Sequence, residues 1–283
     1  MRTLVLGAGG MAGHVISLYL RDRGFTVDTL SARHRLDQDT QLIDVTDITR
    51  VKSFLDSKQY DLVVNCIALL PKPSEERKDL AASINSYFPL FLERYYQGGT
   101  TKIIHISTDG VFSGKNPPYK EDSEYDGQGI YDRSKALGEI INAKDLSIRT
   151  SIFGPDMNKT GTGLLNWFFG QKGEISGYDK LLWSGVSTLE LAKSIEQAAK
   201  QDITGVYHLI PSTSISKLDL LQLFKKTFGR KDISIKPKSD VRFERGLINT
   251  RKDLNHILSD YKTMVEEMKD WVDSHKHLYE HYL

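Results

Sequence analysis

Apolar and polar positions fall into alternating blocks along the first half of the chain. Residues 3–6 form a β-branched and apolar run that ends at glycine, and residues 11–20 repeat apolar positions at helical spacing until Gly24 stops them. Residues 25–30 read as a second strand, and Asp47 reads as the N-cap of a helix through Val51, Phe54 and Leu55. Leu62-Val63-Val64 is continuously apolar, as a parallel strand buried on both faces must be. A helix over about residues 78–96, closed by Gly98-Gly99, leads to a strand at 102–106, a helix at 134–141 and a strand at 147–150. This rhythm predicts an α/β fold with a doubly wound parallel sheet.

After Arg149 the rhythm loosens, and glycines 154, 161, 163, 170, 173 and 177 mark a loop-rich region. Helices are expected at 189–199, 218–228 and about 261–282, with a short strand at 205–209. The pattern predicts a dinucleotide-binding domain of residues 1–152 plus about 187–210. A smaller, partly interleaved α/β part takes about 153–186 plus 211–283, and the cleft between the two is the default ligand site.

Composition narrows the function classes. Among 283 residues, Lys+Arg 38 against Asp+Glu 37 gives a net charge of +1, so no basic field argues for nucleic acid and an anionic ligand needs a local site. Cys66 is the only cysteine, which excludes an internal disulfide and argues against a cysteine-rich metal site. No apolar run approaches the ~18 residues of a membrane-spanning helix. The first residues break into glycines, unlike a signal peptide. The expectation is a soluble cytoplasmic protein. His275, His277 and His281 lack an acidic partner set, so no metal site is expected.

Gly7-Ala8-Gly9-Gly10-Met11-Ala12-Gly13 joins the first strand to the first helix. Glycine is needed there for a tight turn, for close approach of a pyrophosphate to the backbone, and for packing of helix on sheet. The free amides of the helix start then face the phosphates. The spacing fits two registers, Gly7-Gly9-Ala12 or Gly7-Gly10-Gly13. Gly7, Gly10, Met11 and Ala12 are the candidate phosphate contacts. At the end of the second strand, Ser31, Arg33 and Arg35 stand where a carboxylate would select NAD. That favours NADP(H), with NAD(H) second, and a strand two residues shorter would put Asp28 at the tip and reverse the argument.

Tyr131 and Lys135 are four residues apart, so at the start of a helix both project from one face. A phenol with a pKa of about 10 is a poor proton donor at neutral pH. A nearby ammonium stabilises the phenolate and lets the tyrosine protonate a developing alkoxide. Thr108 or Ser107, at the end of the strand before them, supplies a hydroxyl for a substrate carbonyl. Asn85 is a candidate to orient a water or backbone group beside Lys135. A helix-surface asparagine is the alternative.

With these residues assembled, the chain resembles the extended short-chain dehydrogenase/reductases, and within them the dTDP-4-dehydrorhamnose reductases and related nucleotide-sugar reductases. The likeness runs through residues 6–13, 64–68, 84–85, 107–112, 131–139, 148–151 and 205–208, in the family's order. It implies a Rossmann-type N-terminal domain, a sugar-nucleotide domain after it, and hydride delivery to a 4-keto sugar. It makes Thr108, Tyr131 and Lys135 the catalytic triad. Val111, Phe112 and Ile152 would line the sugar site, Cys66, Ile67 and Ala68 would lie along the cofactor, and Asp44 and Val45 would lie by the adenine. The expected partner is a nucleotide-sugar substrate, and many such proteins are homodimers. Three positions depart from the family pattern: Gly110 replaces an aromatic residue, Asp132 a glycine, and Ile152 a tryptophan. They leave the nucleotide and sugar open, UDP- and GDP-linked substrates included. An epimerase would need a second acid/base pair, and Cys66 is expected by the cofactor instead. A non-catalytic regulatory subunit of the same fold is the other reading.

Overall fold

A computed structural model describes residues 1–282. β1 (Arg2–Leu6) is followed by α1 (Met11–Asp22), β2 (Thr26–Ser31), a short β3 (Gln41–Leu42), α2 (Ile48–Asp56) and β4 (Leu62–Asn65). The Asp47 side chain caps α2, accepting the Arg50 amide at 3.1 Å. α3 (Pro71–Glu76) comes next, and the helix expected over residues 78–96 is instead α4 (Lys78–Ala81), a π-helical turn (Ala82–Tyr87) and α5 (Phe88–Tyr95). Pro89 accounts for the slip. It has no amide to offer the Asn85 carbonyl four residues back, so the ladder widens to the next spacing.

β5 (Lys102–Ile106), α6 (Ile130–Leu137) and β6 (Leu146–Arg149) complete the first half. The second half contains β7 (Ile152–Phe153), α7 (Leu164–Phe169), β8 (Gly173–Tyr178), β9 (Leu182–Trp183), β10 (Val186–Ser187), α8 (Thr188–Lys200), β11 (Gly205–His208), β12 (Ile215–Ser216), α9 (Lys217–Thr227), β13 (Ile233–Lys238) and α10 (Tyr261–Ser274).

Seven strands form one parallel sheet in the order β11-β6-β5-β4-β1-β2-β3. The order reverses between β1 and β4, which opens a crevice at their carboxyl ends. Successive β1 side chains face opposite ways: Leu4 and Leu6 join Leu30, Val51 and Phe88 on one face, and Val5 joins Val15, Leu146 and Ile195 on the other. That second cluster continues through Phe153, Phe224 and Trp271 to Tyr282. Three short two-stranded sheets, β7 with β10, β8 with β13 and β9 with β12, build the rest.

The last helix stops at Ser274 rather than near residue 282, and two 3-10 turns follow. These turns aim Tyr279 and Tyr282 into the core. The Tyr279 hydroxyl accepts from Trp271 Nε1 at 3.1 Å and lies 2.7 Å from His14 Nε2, while His14 Nδ1 lies 2.8 Å from the Gly10 carbonyl. The chain tail is thereby tied to the first turn of α1. Burial pushes His14 down to about 4, so it is neutral in the fold. The unfolded chain binds this proton from about pH 6.5 downward and the folded chain does not, so this contribution is lost as pH falls from 6.5 toward 4. The ceiling on the loss is roughly 3 kcal/mol. Thermal unfolding of wild type and His14→Gln across that window should show a steeper acid loss in wild type.

Candidate active site

The glycine loop is built as a cradle. Gly7 adopts φ +85°, a conformation costly for any other residue. A Cβ on Gly13 would collide with the Gly7 carbonyl, and one on Gly9 with the His34 carbonyl. A Cβ on Gly10 would meet the Gly7 oxygen at 3.3 Å. Backbone crowding thus requires glycine at several of these positions: Gly7 and Gly13 set the turn and the helix packing, and Gly9 makes room for Ser31 and His34. The α1 N-terminus has no side-chain cap, and the amides of Met11, Ala12 and Gly13 lie in the turn where no intrahelical carbonyl reaches. Such a donor set fits a dinucleotide pyrophosphate.

β2 extends to Ser31, so the tip is Ser31-Ala32-Arg33. Asp28 lies opposite Leu4 and is engaged by Arg2 at 3.0 Å and Lys58 at 2.8 Å, away from the tip. Ser31 is buried and Arg33 exposed. Arg35 is exposed, and its Nη1 engages the Thr40 and Gln38 carbonyls. Asp44 is exposed and accepts from the Thr46 amide and hydroxyl, and Val45 is buried beside it.

Tyr131 and Lys135 stand on α6, which begins four residues earlier than the apolar pattern suggested. Asp132 accounts for the start, because its carboxylate accepts the Gly129 amide at 3.0 Å. Glu75 accepts the Ile130 amide at 2.7 Å. Thr108 lies at the carboxyl end of β5, where its hydroxyl accepts the Gly110 amide at 3.0 Å, donates to Asp109 at 3.3 Å and sits near the Tyr131 phenol. Ser107 is excluded from the role left open to it, since it donates to Glu139 at 2.5 Å.

Burial pushes the Tyr131 phenol up to about 12, with the Thr108 hydroxyl opposing and the Asp109 and Asp132 carboxylates adding. The proposed lowering by Lys135 is not what the geometry provides. Lys135 Nζ turns instead to the Ile106 carbonyl at 2.8 Å and to His105 Nε2 at 3.1 Å, and desolvation pulls it down to about 8.

Two further expectations are corrected. Val111 and Phe112 are fully buried, with Phe112 stacked on Tyr119 at 4.4 Å and covered by the Arg149 guanidinium at 5.0 Å. They support the site from behind and offer no surface to a sugar. Asn85 is also fully buried, and it does not reach Lys135. Its side chain accepts the Leu69 amide at 2.7 Å and donates to the Leu69 carbonyl and to Ser134 at 3.0 Å. It therefore fixes the turn containing Cys66, Ile67 and Ala68 against α6. Those three residues are half-buried at the mouth of the crevice, and a Cβ on Gly7 would lie 3.1 Å from Ile67.

Asp109 lies in the family-like stretch 107–112, but no role was expected of it. Its carboxylate accepts Ser151 at 2.8 Å and lies 3.5 Å from Arg245. Arg245 thus brings a cation from the C-terminal part to the site, while Arg251 is held by Asp253 and the Thr204 and Val206 carbonyls. Lys217 lies 4.8 Å over the Trp183 ring, and burial pulls its amine down to about 8. Trp183 also packs on Phe153 and Tyr261, as a partly buried residue at the edge of the core.

A family model described as the RmlD substrate binding domain matches residues 1–281. The chain belongs to that family. The probable low-salt glycan biosynthesis reductase Agl14 of Haloferax volcanii is 34% identical over 159 residues, 53% of this chain and 53% of that protein. A dTDP-4-dehydrorhamnose reductase of Mycolicibacterium smegmatis is 32% identical over 148 residues, 50% of this chain and 42% of that protein. The chain spans about half the length of these curated relatives. The Bacillus anthracis dTDP-4-dehydrorhamnose reductase solved in complex with NADP shares the fold, with a TM-score of 0.80 at 21% identity, covering 95% of this chain and 99% of that one.

Within this RmlD-family chain, two of the three departures touch. A Cβ at Gly110 would meet Asp132 Oδ1 at 3.1 Å and the Thr108 hydroxyl at 3.2 Å. The aspartate thus fills the space that a side chain at 110 would need. The third departure, Ile152, is half-buried in β7, next to Ser151.

Proposed function

We propose that this protein reduces the C4 keto group of a nucleotide-linked 4-keto-6-deoxysugar with NADPH, as a step in building a surface glycan. The observation that carries the reading is the grouping of Thr108, Tyr131 and Lys135 on β5 and α6 beside the glycine cradle at the sheet's reversal point. A bound nicotinamide would supply the hydride. Tyr131, protonated through the neutral range, gives its proton to the carbonyl oxygen as negative charge develops there. Thr108 orients that oxygen. Lys135 fixes the ribose side of the site, and Arg245 with Lys217 gives the C-terminal part cations for an anionic substrate. The protein's share is orientation, proton delivery and charge. Three intact reacting side chains weigh against a purely regulatory role. The printed names of the relatives, a glycan-biosynthesis reductase and a dTDP-4-dehydrorhamnose reductase, support the same chemistry.

The preference for NADPH rests on the tip of β2, where Ser31 and Arg33 stand and Asp28 does not. Thermal shift with NADPH, NADH and a panel of dTDP-, UDP- and GDP-sugars tests both parts. Saturating NADPH at about 100 times its Kd should add roughly 2.7 kcal/mol, with a smaller response to NADH. A larger response to NADH would overturn the cofactor assignment. No response to any nucleotide sugar in the presence of NADPH would overturn the substrate class.

A further inference from the structure

Lys135 ends a chain of buried side chains that the reaction as described does not use. Its Nζ lies 3.1 Å from His105 Nε2. His105 Nδ1 lies 3.1 Å from Asn65 Nδ2, and Asn65 Oδ1 accepts the Ile67 amide at 3.1 Å. Asn65 and His105 are register partners on β4 and β5, and both are completely buried. Water therefore cannot relieve a mismatch among them.

The fixed end of the chain sets the protons. A backbone amide only donates, so the Asn65 oxygen faces Ile67 and its NH2 faces His105. His105 Nδ1 must then accept, which places the ring proton on Nε2. That N–H points at Lys135. An ammonium carries three N–H groups and no lone pair, so a charged Lys135 sets donor against donor. A neutral amine accepts the Nε2 proton and still donates to the Ile106 carbonyl at 2.8 Å.

We propose that His105, locked as its Nε2–H tautomer by Asn65, is a positioning residue that disfavours the ammonium form of Lys135 until a bound ligand's hydroxyl takes over its N–H groups. The ammonium is then favoured in the loaded site over the empty one, its extra proton drawn from solvent, and there it eases the formation of the Tyr131 phenolate. The other groups around Nζ leave this arrangement intact. From the turn after β4, Cys66 faces it with a thiol that burial pushes up to about 12, hence uncharged. Along its own helix stands Tyr131, a neutral phenol, and beyond the helix stands Glu139, whose carboxylate is already taken by Arg149 at 2.8 Å and Ser107 at 2.5 Å. Glu139 favours the charged amine, but burial acts the other way and is the larger influence.

The functional sense of this device rests on the reductase reading, but its test needs no substrate. Nitrogen NMR of the ligand-free full chain should show His105 protonated on Nε2 alone. Titration of the Lys135 side-chain signals, assigned by their loss in Lys135→Met, should show a midpoint well below that of the exposed lysines. In Asn65→Asp the new carboxylate accepts a proton on Nδ1 and leaves Nε2 as an acceptor. In Asn65→Leu the locking NH2 is removed without adding charge. Both should raise the Lys135 midpoint by about one unit or more. A His105 ring protonated on Nδ1 in the wild type would overturn the proposal even if neither variant folded. An unmoved midpoint in folded Asn65→Leu would also overturn it. Failure to reduce any keto-sugar would remove the reductase reading and leave these signals unchanged.

Discussion

Tyr131→Phe should lower the rate of carbonyl reduction roughly 100- to 10,000-fold, the range over which a positioned general acid contributes. The substitution removes only the hydroxyl oxygen. The ring remains in the first turn of α6, and the Gly129–Asp132 cap and the Glu75 contact that start the helix do not involve it. Cofactor affinity should therefore stay within a few-fold of wild type, as read by NADPH-induced thermal shift, while single-turnover NADPH oxidation with a competent keto-sugar collapses. Thr108→Val should lower the rate less, since it removes an orienting group and not the proton source. A Tyr131→Phe variant that kept full turnover would remove this tyrosine from the chemistry.

The second large effect is on stability. Arg149 and Glu139 are almost completely buried and meet at 2.8 Å, and the guanidinium also reaches Tyr125 at 3.1 Å, His208 at 3.1 Å and the Glu121 carbonyl at 3.0 Å. Arg149→Leu leaves the Glu139 carboxylate buried with only hydroxyl donors, from Ser107 and Tyr125. Breaking a buried pair in this way costs about 3–5 kcal/mol. In a chain of this size that lowers the melting temperature by roughly 6–20 °C. The double variant Arg149→Leu, Glu139→Leu should lose less than the single one, because no unpaired charge remains inside. A single variant that melts with wild type would show that the pair contributes nothing to the fold.

The sheet was legible because its strands are buried on both faces and separated by helices of ordinary spacing. Residues 62–64 and 102–106 have few other structures open to them. The π-helical turn was not legible, because its cause is the meeting of Pro89 with a carbonyl that only the folded helix aligns. The short sheets of the second half were hidden for a related reason. Their two-residue strands carry no periodicity, and β8 finds its partner β13 more than fifty residues later. At the site, the side chains proposed to react stood out by their spacing. The groups that tune them did not. Asp109, His105 and Arg245 act through distances across elements, and Phe112 looked like a wall of the sugar pocket until its burial under Arg149 was seen.

The contact between positions 110 and 132 has an evolutionary consequence. An aromatic residue at 110 and an aspartate at 132 compete for one volume, and a glycine at both would leave α6 without its starting carboxylate. The two positions therefore form an epistatic pair. The order of the two changes matters: an aromatic introduced at 110 while Asp132 remains meets a clash, whereas removal of the carboxylate first leaves the space open. Grafting an aromatic at 110 alone into this chain should fail, and restoring glycine at 132 in the same step should rescue it.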